Sequence, residues 1–495
     1  MFLRDLLPSY LLDQLSNHPV ITQNPFLTRL SVQAQNVRPG DMYFALPSES
    51  GKDTLPYIRQ AIRNKACVVI VPPRVIPVDT SPTIIVVDDA RAILSYAAAK
   101  FYAAKPDHIV AVTGTNGKSS VVNFVNQLWG HTGILGASVG TLGVHINTEK
   151  TYRDVGNTTP DIIFTHELLQ ELKNIGAEHV ALEASSHGLS QKRLDNINVR
   201  AAAFTNLSQD HLDYHKTFDA YFAAKSLLFT KVLTHQGTAV INMNDPYGQR
   251  LVDLCIQQKI AAIITIGNTD HPFVCDFTVL DITPKQDRQD ITVQCFGVTY
   301  HLTLPLIGEF QIYNALTACA LAYSAGMALE DTLSGLEQLQ QIPGRLEYTG
   351  QTPTGGRVYV DYAHTPDALS HAIAALKKGC GGKLHLVFGC GGNRDSSKRS
   401  LMGHIAESMA DVVIITDDNP RFESPEAIRT EIQAAAPHAQ TIGDRYLAIK
   451  TAIQNLQKDD ILLITGKGHE TYQIYNELTF DFDDRSVVRE ILGDL

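Results

Sequence analysis

Phosphate-handling chemistry is written most plainly between Ile109 and Trp129. Ile109-Val110-Ala111-Val112 is a buried-strand pattern. It runs into Thr113-Gly114-Thr115-Asn116-Gly117-Lys118-Ser119-Ser120 and then into the helical run VVNFVNQLW. Strand, glycine-rich turn, Lys-Ser and helix is an arrangement that cradles phosphates. Glycines let backbone N–H groups face an anion, the helix N-terminus adds positive potential, and Lys118 supplies a point charge. Ser119 is placed to hold Mg²⁺. The full phosphate-loop spacing asks for Gly at position 112, where the chain has Val112, so this is a shortened variant. In its strand-to-helix setting it points to nucleotide binding rather than to a structural turn.

Further candidates follow along the chain. His179-Val-Ala-Leu-Glu183 reads as a strand with an acid at its carboxyl end, the edge where open α/β sheets gather ligands, so Glu183 is a candidate Mg²⁺ ligand. Ser186-His187 lacks a G-x-S-x-G elbow, which argues against hydrolase chemistry. His211 and His215 stand four apart like a helical zinc pair, but Leu212 occupies the place of the general-base Glu, which argues against a metalloprotease. The pattern leaves a metal or phosphate contact and a structural role both open for these histidines. Lys225 falls on the apolar stripe of its helix, with Tyr221 and Phe222 behind it and Leu228 and Phe229 ahead. A snorkelling lysine and a desolvated, reactive amine are both compatible with that spacing. Gly389-Cys-Gly-Gly392 lacks the spacing of a dinucleotide fingerprint and reads as a tight turn. Gly466-Lys-Gly-His-Glu470 lacks a Ser or Thr after Lys467, which argues against a second nucleotide loop.

The elements that must position these residues alternate between strand-like and helix-like runs, which gives an α/β class. Strand candidates include Cys67–Val71, Ile84–Val87, His108–Thr113, His179–Glu183, Arg357–Tyr362, Lys383–Gly389 and Ile461–Thr465. Between about 260 and 306 short strands follow one another without helices, the mark of an antiparallel insertion. At 495 residues about three domains are expected. Breaks near Asp88 and near Ile342-Pro343-Gly344 divide the chain into 1–88, 89–341 and 342–495. The opening MFLRDLLPSYLLDQL reads as an amphipathic surface helix, and Asp5 and Asp13 interrupt it too early for a signal peptide. No apolar run approaches the roughly 18 residues of a membrane span. A net charge of −11 without a Lys/Arg stripe argues against a nucleic-acid binder. Seven cysteines without a C-x-x-C make no disulfide framework, and the even spacing of Cys255, Cys275 and Cys295 reads as accident. A cytoplasmic location is the expectation.

T-G-T-N-G-K-S-S, L-E-A-S-S-H-G, F-T-N-L-S-Q-D-H-L-D-Y-H, Y-F-A-A-K, P-G-R-L-E and D-Y-A-H-T-P-D occur in that order, and the set resembles the Mur ligases, ATP-dependent amide ligases of peptidoglycan synthesis. F-G-C-G-G-N-R-D, D-D-N-P-R and G-K-G-H-E resemble the members that add diaminopimelate as third residue of the stem peptide. The resemblance implies a UDP-binding first domain, a central ATP-binding domain with a mostly parallel P-loop-type sheet, and a Rossmann-like C-terminal domain that brings the amino acid. It implies that ATP phosphorylates the D-glutamyl carboxylate of UDP-MurNAc-L-Ala-D-Glu and that the amine of meso-diaminopimelate attacks the acyl phosphate. The chain would act as a monomer on these small molecules. Gly114, Thr115, Asn116, Gly117, Lys118, Ser119 and Ser120 would bind ATP, with Asn314, Arg345, Asp361 and His364. Lys118, Glu183, His211 and Lys225 would be catalytic. Ser119, Glu183, His211 and a carbamylated Lys225 would hold Mg²⁺. Asn157, Thr158, Thr159, Ser185, Gln191 and Arg193 would hold the muramoyl dipeptide, and Arg394, Asp418, Asn419, Pro420, Arg421, Gly466 and Glu470 the diaminopimelate. Three departures from the family strings stand out: Ala34-Gln35-Asn36 where D-S-R often contacts uridine, Gln311 for the first Asn of G-x-x-N-x-x-N, and Ser119-Ser120 where Thr-Thr is common. The alternatives are the lysine-adding sister ligase, a folylpolyglutamate synthetase, and a silent nucleotide-binding regulator on the same scaffold. Retention of Lys118, Glu183, His211 and Lys225 together speaks against the last.

Overall fold

A computed structural model describes residues 1–47, 53–73, 83–147, 152–272 and 274–494. Three sheets of four, ten and six strands organise the chain, with a separate two-stranded hairpin near the C-terminus.

The first unit is a parallel sheet of Arg29–Ser31, Asp41–Phe44, Val68–Val71 and Ile84–Val86, paired in sequence order. Its opening segment is not one surface helix. Pro8, whose ring fixes φ and carries no N–H, separates a 3₁₀ turn at Leu3–Leu6 from a short helix at Ser9–Gln14. Leu3, Leu6, Leu7 and Leu11 all enter the core. The boundary expected at Asp88 also moves. Asp89 accepts a hydrogen bond from the Ala92 N–H at 2.9 Å, so the break read there is the N-cap of the helix Ala90–Phe101. Ala90, Ile93, Leu94, Ala97 and Ala98 of that helix pack into the first unit's core, which therefore extends past 88.

The ten-stranded sheet runs, in spatial order, Val298–Leu304, Gln289–Cys295, Phe277–Pro284, Ala262–Asn268, Leu233–Asn242, Val199–Phe204, His108–Thr113, His179–Glu183, Gly136–Gly140 and Gly143–Ile146. From Phe277–Pro284 inward to Gly136–Gly140 every neighbouring pair is parallel. The antiparallel strands expected after residue 260 extend one edge of this same sheet, starting only at Phe277–Pro284. The register places Val112 opposite Glu183 and Thr113 opposite Phe204. The phosphate loop, Glu183 and the segment after Phe204 thereby leave the sheet side by side at its carboxyl edge, where ligands of such sheets collect. The helices Lys118–His131 and Glu309–Ser324 bury their apolar faces on one side of the sheet; Ile162–Asn174 and Phe218–Leu227 cover the other.

The last sheet runs Glu347–Gln351, Arg357–Asp361, Ile461–Thr465, Leu384–Phe388, Val412–Ile415 and Gln440–Thr441, all parallel except the first. Core residues divide between Ile342, packed with the central unit, and Leu346, packed with this one.

Candidate active site

The phosphate loop depends on two glycines. Gly114 and Gly117 have φ of +155° and +88°, and a Cβ on either would lie 1.9 Å from Thr205 Oγ1 or 2.5 Å from Asn314 Oδ1. Lys118 donates from Nζ to the carbonyls of Gly114 at 2.9 Å and Thr115 at 2.8 Å. Burial lowers its pKa, with Glu183 and Asp210 opposing the shift. Ser119 Oγ accepts from Arg345 Nη2 at 3.0 Å, and Asn116 Nδ2 donates to Asp367 Oδ2 at 3.1 Å. Both bonds join the central unit to the C-terminal one. The Arg345 guanidinium lies 4.3 Å from the centre of the Tyr362 ring. Asp361 is committed to the backbone N–H groups of Leu346 (2.5 Å) and Ala363 (2.7 Å), so it fixes the turn that presents Arg345. Asn314 Nδ2 donates to Gln311 Oε1 at 2.9 Å, so the departure at 311 keeps an amide partner. The loop, Ser119, Ser120, Glu183, His211, Asn314, Arg345, Asp361 and His364 line one cleft of about 860 Å³ between the two units.

Glu183 is buried; it accepts from the Thr141 N–H at 2.8 Å and from Thr141 Oγ1 at 3.3 Å. Thr141 is a neighbour that sequence reasoning missed, because it belongs to the turn of a hairpin whose short apolar alternation is broken by glycines at 136, 140 and 143. His211 adopts φ +54° just ahead of the helix Leu212–His215, so it and His215 are not a helical pair. Its Nε2 lies 3.3 Å from Asp210 Oδ2. Desolvation, aided by His187 and the Lys118 and Lys225 cations and opposed by Asp210, pushes His211 down to about 4, which leaves it neutral. Among the described residues no three His, Cys, Asp or Glu side chains gather as a ready-made metal cage.

Lys225 is only 2% exposed, which removes the snorkelling alternative. Its Nζ donates to the Gly114 carbonyl at 2.7 Å and lies 4.3 Å from the Tyr221 ring centre. No carboxylate pairs with it among the described residues, and burial lowers its pKa far below the ordinary lysine value. Tyr221 also binds the loop, its hydroxyl 3.2 Å from Thr115 Oγ1.

The residues expected to hold the dipeptide cluster beside Glu183. Thr159 Oγ1 donates to the Glu183 carbonyl at 2.7 Å and accepts from the Ser185 N–H at 2.9 Å. Arg193 donates to the Thr159 carbonyl at 2.6 Å and to Gln191 Oε1 at 2.7 Å. Thr158 Oγ1 lies 3.0 Å from Thr141 Oγ1, while Asn157 is exposed.

The C-terminal residues form a second group. Asn419 Nδ2 donates to Glu470 Oε2 at 2.9 Å, and Lys467 Nζ to Asn419 Oδ1 at 3.2 Å. A Cβ on Gly466 would lie 2.5 Å from Asp418 Oδ2. Burial raises the Glu470 pKa, Asp418 adding to the shift. Arg421 donates from Nη1 to the carbonyls of Gly392 (2.9 Å) and Asn419 (3.4 Å). Its surface alternative, Glu423, is taken by Arg399 at 2.8 Å. Gly389 and Gly392 let their loop approach this one: a Cβ there would meet the carbonyls of Thr416 at 2.2 Å and Pro420 at 2.0 Å. Arg394 stands apart, exposed on the wall of the cleft that the phosphate loop lines.

A family model for the Mur ligase middle domain matches residues 112–322, and one for the Mur ligase glutamate ligase domain matches 344–468. The chain is 42% identical over 467 residues to the UDP-N-acetylmuramoyl-L-alanyl-D-glutamate–2,6-diaminopimelate ligase of Rhizobium meliloti (strain 1021), covering 94% of each. It is 39% identical over 479 residues to the protein of that name in Caulobacter vibrioides (strain ATCC 19089 / CIP 103742 / CB 15), covering 96% of each. A solved structure of a ligase of that name superposes with a TM-score of 0.69 at 32% identity, over 95% of this chain and 96% of that one. MurF ligase from Thermotoga maritima in complex with ADP shares the fold at a TM-score of 0.61 and 16% identity, over 94% and 96% of the chains. The chain belongs to the Mur ligase family and is an ATP-dependent, amide-bond-forming ligase.

Proposed function

We propose that this ligase joins meso-diaminopimelate to the D-glutamyl carboxylate of UDP-MurNAc-L-Ala-D-Glu, in peptidoglycan precursor synthesis. One observation supports the reading above the others. The phosphate loop and the loop that carries Arg421 lie on units already joined through Arg345–Ser119 and Asn116–Asp367. Phosphoryl transfer is largely positioning plus charge neutralisation. The loop N–H groups and Lys118 would hold the ATP phosphates, and Arg345 would reach them across the cleft. A D-glutamyl carboxylate oxygen held near Thr159, Ser185 and Arg193 attacks the γ-phosphorus; ADP leaves and an acyl phosphate forms. The amine of diaminopimelate then adds to the acyl carbon, and the tetrahedral adduct expels phosphate as the nitrogen loses its proton.

Glu183 and Ser119 offer hard oxygen donors on the cleft wall, a set that fits Mg²⁺ with its remaining ligands drawn from phosphate and water. They would hold it with His211, and bound Mg²⁺ supplies neutralisation of phosphate charge. Lys225 is the group we assign to carbamylation: burial favours its neutral amine, whose nitrogen bonds to CO₂ with loss of one proton, so a neutral amine becomes an oxygen-bearing anion beside the loop. Among the described residues no helix is long and apolar enough to cross a membrane; a cytoplasmic monomer fits the substrates.

The test is phosphate release with ATP, Mg²⁺, UDP-MurNAc-L-Ala-D-Glu and a panel of amines. Release dependent on both the dipeptide and meso-diaminopimelate is expected. Full ATP turnover without acceptor would refute the ligase reading for this site, and equal use of L-lysine would favour the sister activity.

A further inference from the structure

Beneath the loops 417–421 and 466–470 lies an ion pair that no motif announced. Arg445 opens the helix Arg445–Gln454 and Asp484 opens the C-terminal helix Asp484–Gly493; both side chains are 0% exposed. Arg445 Nε and Nη2 donate to the two carboxylate oxygens of Asp484, each at 2.7 Å. The guanidinium also reaches main chain on both sides: Nη2 donates to the Thr465 carbonyl at 2.9 Å, and Nη1 to the Asp417 carbonyl at 3.3 Å. Those carbonyls stand directly before Gly466 and Asp418, where the two loops begin. One flat, rigid group thus spans the roots of both loops.

Stability alone is a weak reason for this pair. A buried ion pair is often no better than apolar packing, because desolvation offsets the attraction. A cation in the first turn of a helix also opposes the helix dipole. What the fork provides is directional geometry that an apolar pair lacks. The gap it sets matters at once above it, where a Cβ on Gly466 would lie 2.5 Å from Asp418 Oδ2, so the two loops meet there. From the other side Gln473 Nε2 donates to the Asp418 carbonyl at 2.8 Å, so loop 417–421 is clamped between two side chains.

We propose that Arg445, oriented by Asp484, is a positioning residue for the amine co-substrate: it fixes the separation of the loops 417–421 and 466–470, and through them affinity and selectivity, without touching the substrate. This rests on the assignment of those loops to amine binding made above.

Three variants test it. Arg445→Met with Asp484→Leu removes both charges together, Arg445→Lys keeps the charge without the fork, and Asp484→Asn keeps the shape without the charge. Thermal midpoint and KM for ATP, for the UDP-dipeptide and for diaminopimelate are measured for each. The expected result is a rise of about tenfold or more in KM for diaminopimelate and a similar fall in preference over L-lysine, with the other two KM values within about twofold, and Arg445→Lys intermediate. A folded double variant with unchanged KM for diaminopimelate overturns the proposal. So does a common drift of all three KM values with the thermal midpoint, which a merely structural role would produce. If the double variant does not fold, Arg445→Lys and Asp484→Asn are read by the same criteria. If the wild-type enzyme uses another amine instead, the substrate assignment fails, and the positioning role is decided by KM for that amine in the same variants.

Discussion

Replacing Arg421 by alanine probes amine selectivity most directly. Its Nη1 is spent on the carbonyls of Gly392 and Asn419, and it forms no ion pair among the described residues. The Nε–Nη2 edge is therefore left for a ligand, and that edge matches a carboxylate with two parallel N–H···O bonds. Diaminopimelate carries a distal carboxylate that lysine lacks. Hydrogen bonds to charged groups contribute about 1.5–3 kcal/mol each. Arg421 is half-buried, so solvent screening places the pair near the lower end, about 3 kcal/mol in total. At 1.4 kcal/mol per tenfold, that is discrimination of about 10². Arg421→Ala is expected to raise KM for diaminopimelate by about that factor, leave KM for ATP unchanged, and bring the kcat/KM ratio of diaminopimelate to L-lysine towards unity. The assay is phosphate release at saturating ATP and UDP-dipeptide with each amine varied. An unchanged ratio, with the variant folded, would refute the assignment of Arg421 to the distal carboxylate.

Lys225→Ala is expected to be nearly inactive, and short carboxylic acids such as acetate should restore part of the rate by replacing the carbamate oxygens; full activity without them would remove Lys225 from the reaction. Glu183→Gln keeps the hydrogen bond from the Thr141 N–H but loses the charge, so its expected effect is a kcat lower by about 10² or more with the fold intact, read against Mg²⁺ concentration. Burial pushes His166 down to about 3 and His364 down to about 4, while the unfolded chain takes up their protons near 6.5. The unfolded state thus binds more protons between those values, so stability is full above about pH 6.5 and falls as pH drops towards 3 to 4. Urea unfolding across pH 4–7 should show this slope, and His166→Leu should flatten it; an unchanged slope would mean that His166 does not contribute.

What the sequence disclosed was local. The strand, turn and helix around Lys118 are contiguous, so their chemistry could be read from spacing. Lys225 could not be decided, because its partner carbonyl is Gly114, 111 positions away. The break read near Asp88 has a physical origin: the next residue, Asp89, caps a helix, and a capping residue has the polar character of a linker. The hairpin Gly136–Ile146 escaped notice because glycines at 136, 140 and 143 break its apolar alternation into pairs, Ala137/Val139 and Val144/Ile146, yet its turn supplies Thr141 to Glu183. Arg445 and Asp484 lie 39 residues apart in unremarkable helix starts, and only the fold shows them paired. The order of the motifs carried the domain plan, whereas the contacts across the cleft, such as Asn116–Asp367, needed tertiary structure.

The glycines at 389 and 392 bear on inhibitor resistance. Any side chain at either position would run into main-chain carbonyls of the neighbouring loop, which cannot swing aside as a flexible side chain can. A compound that leaned on the backbone of 389–392 would rest on a surface that a point mutation cannot reshape without displacing the loop of Asp418 and Arg421. Resistance to such a compound would have to arise at other contacts or through uptake, efflux or expression.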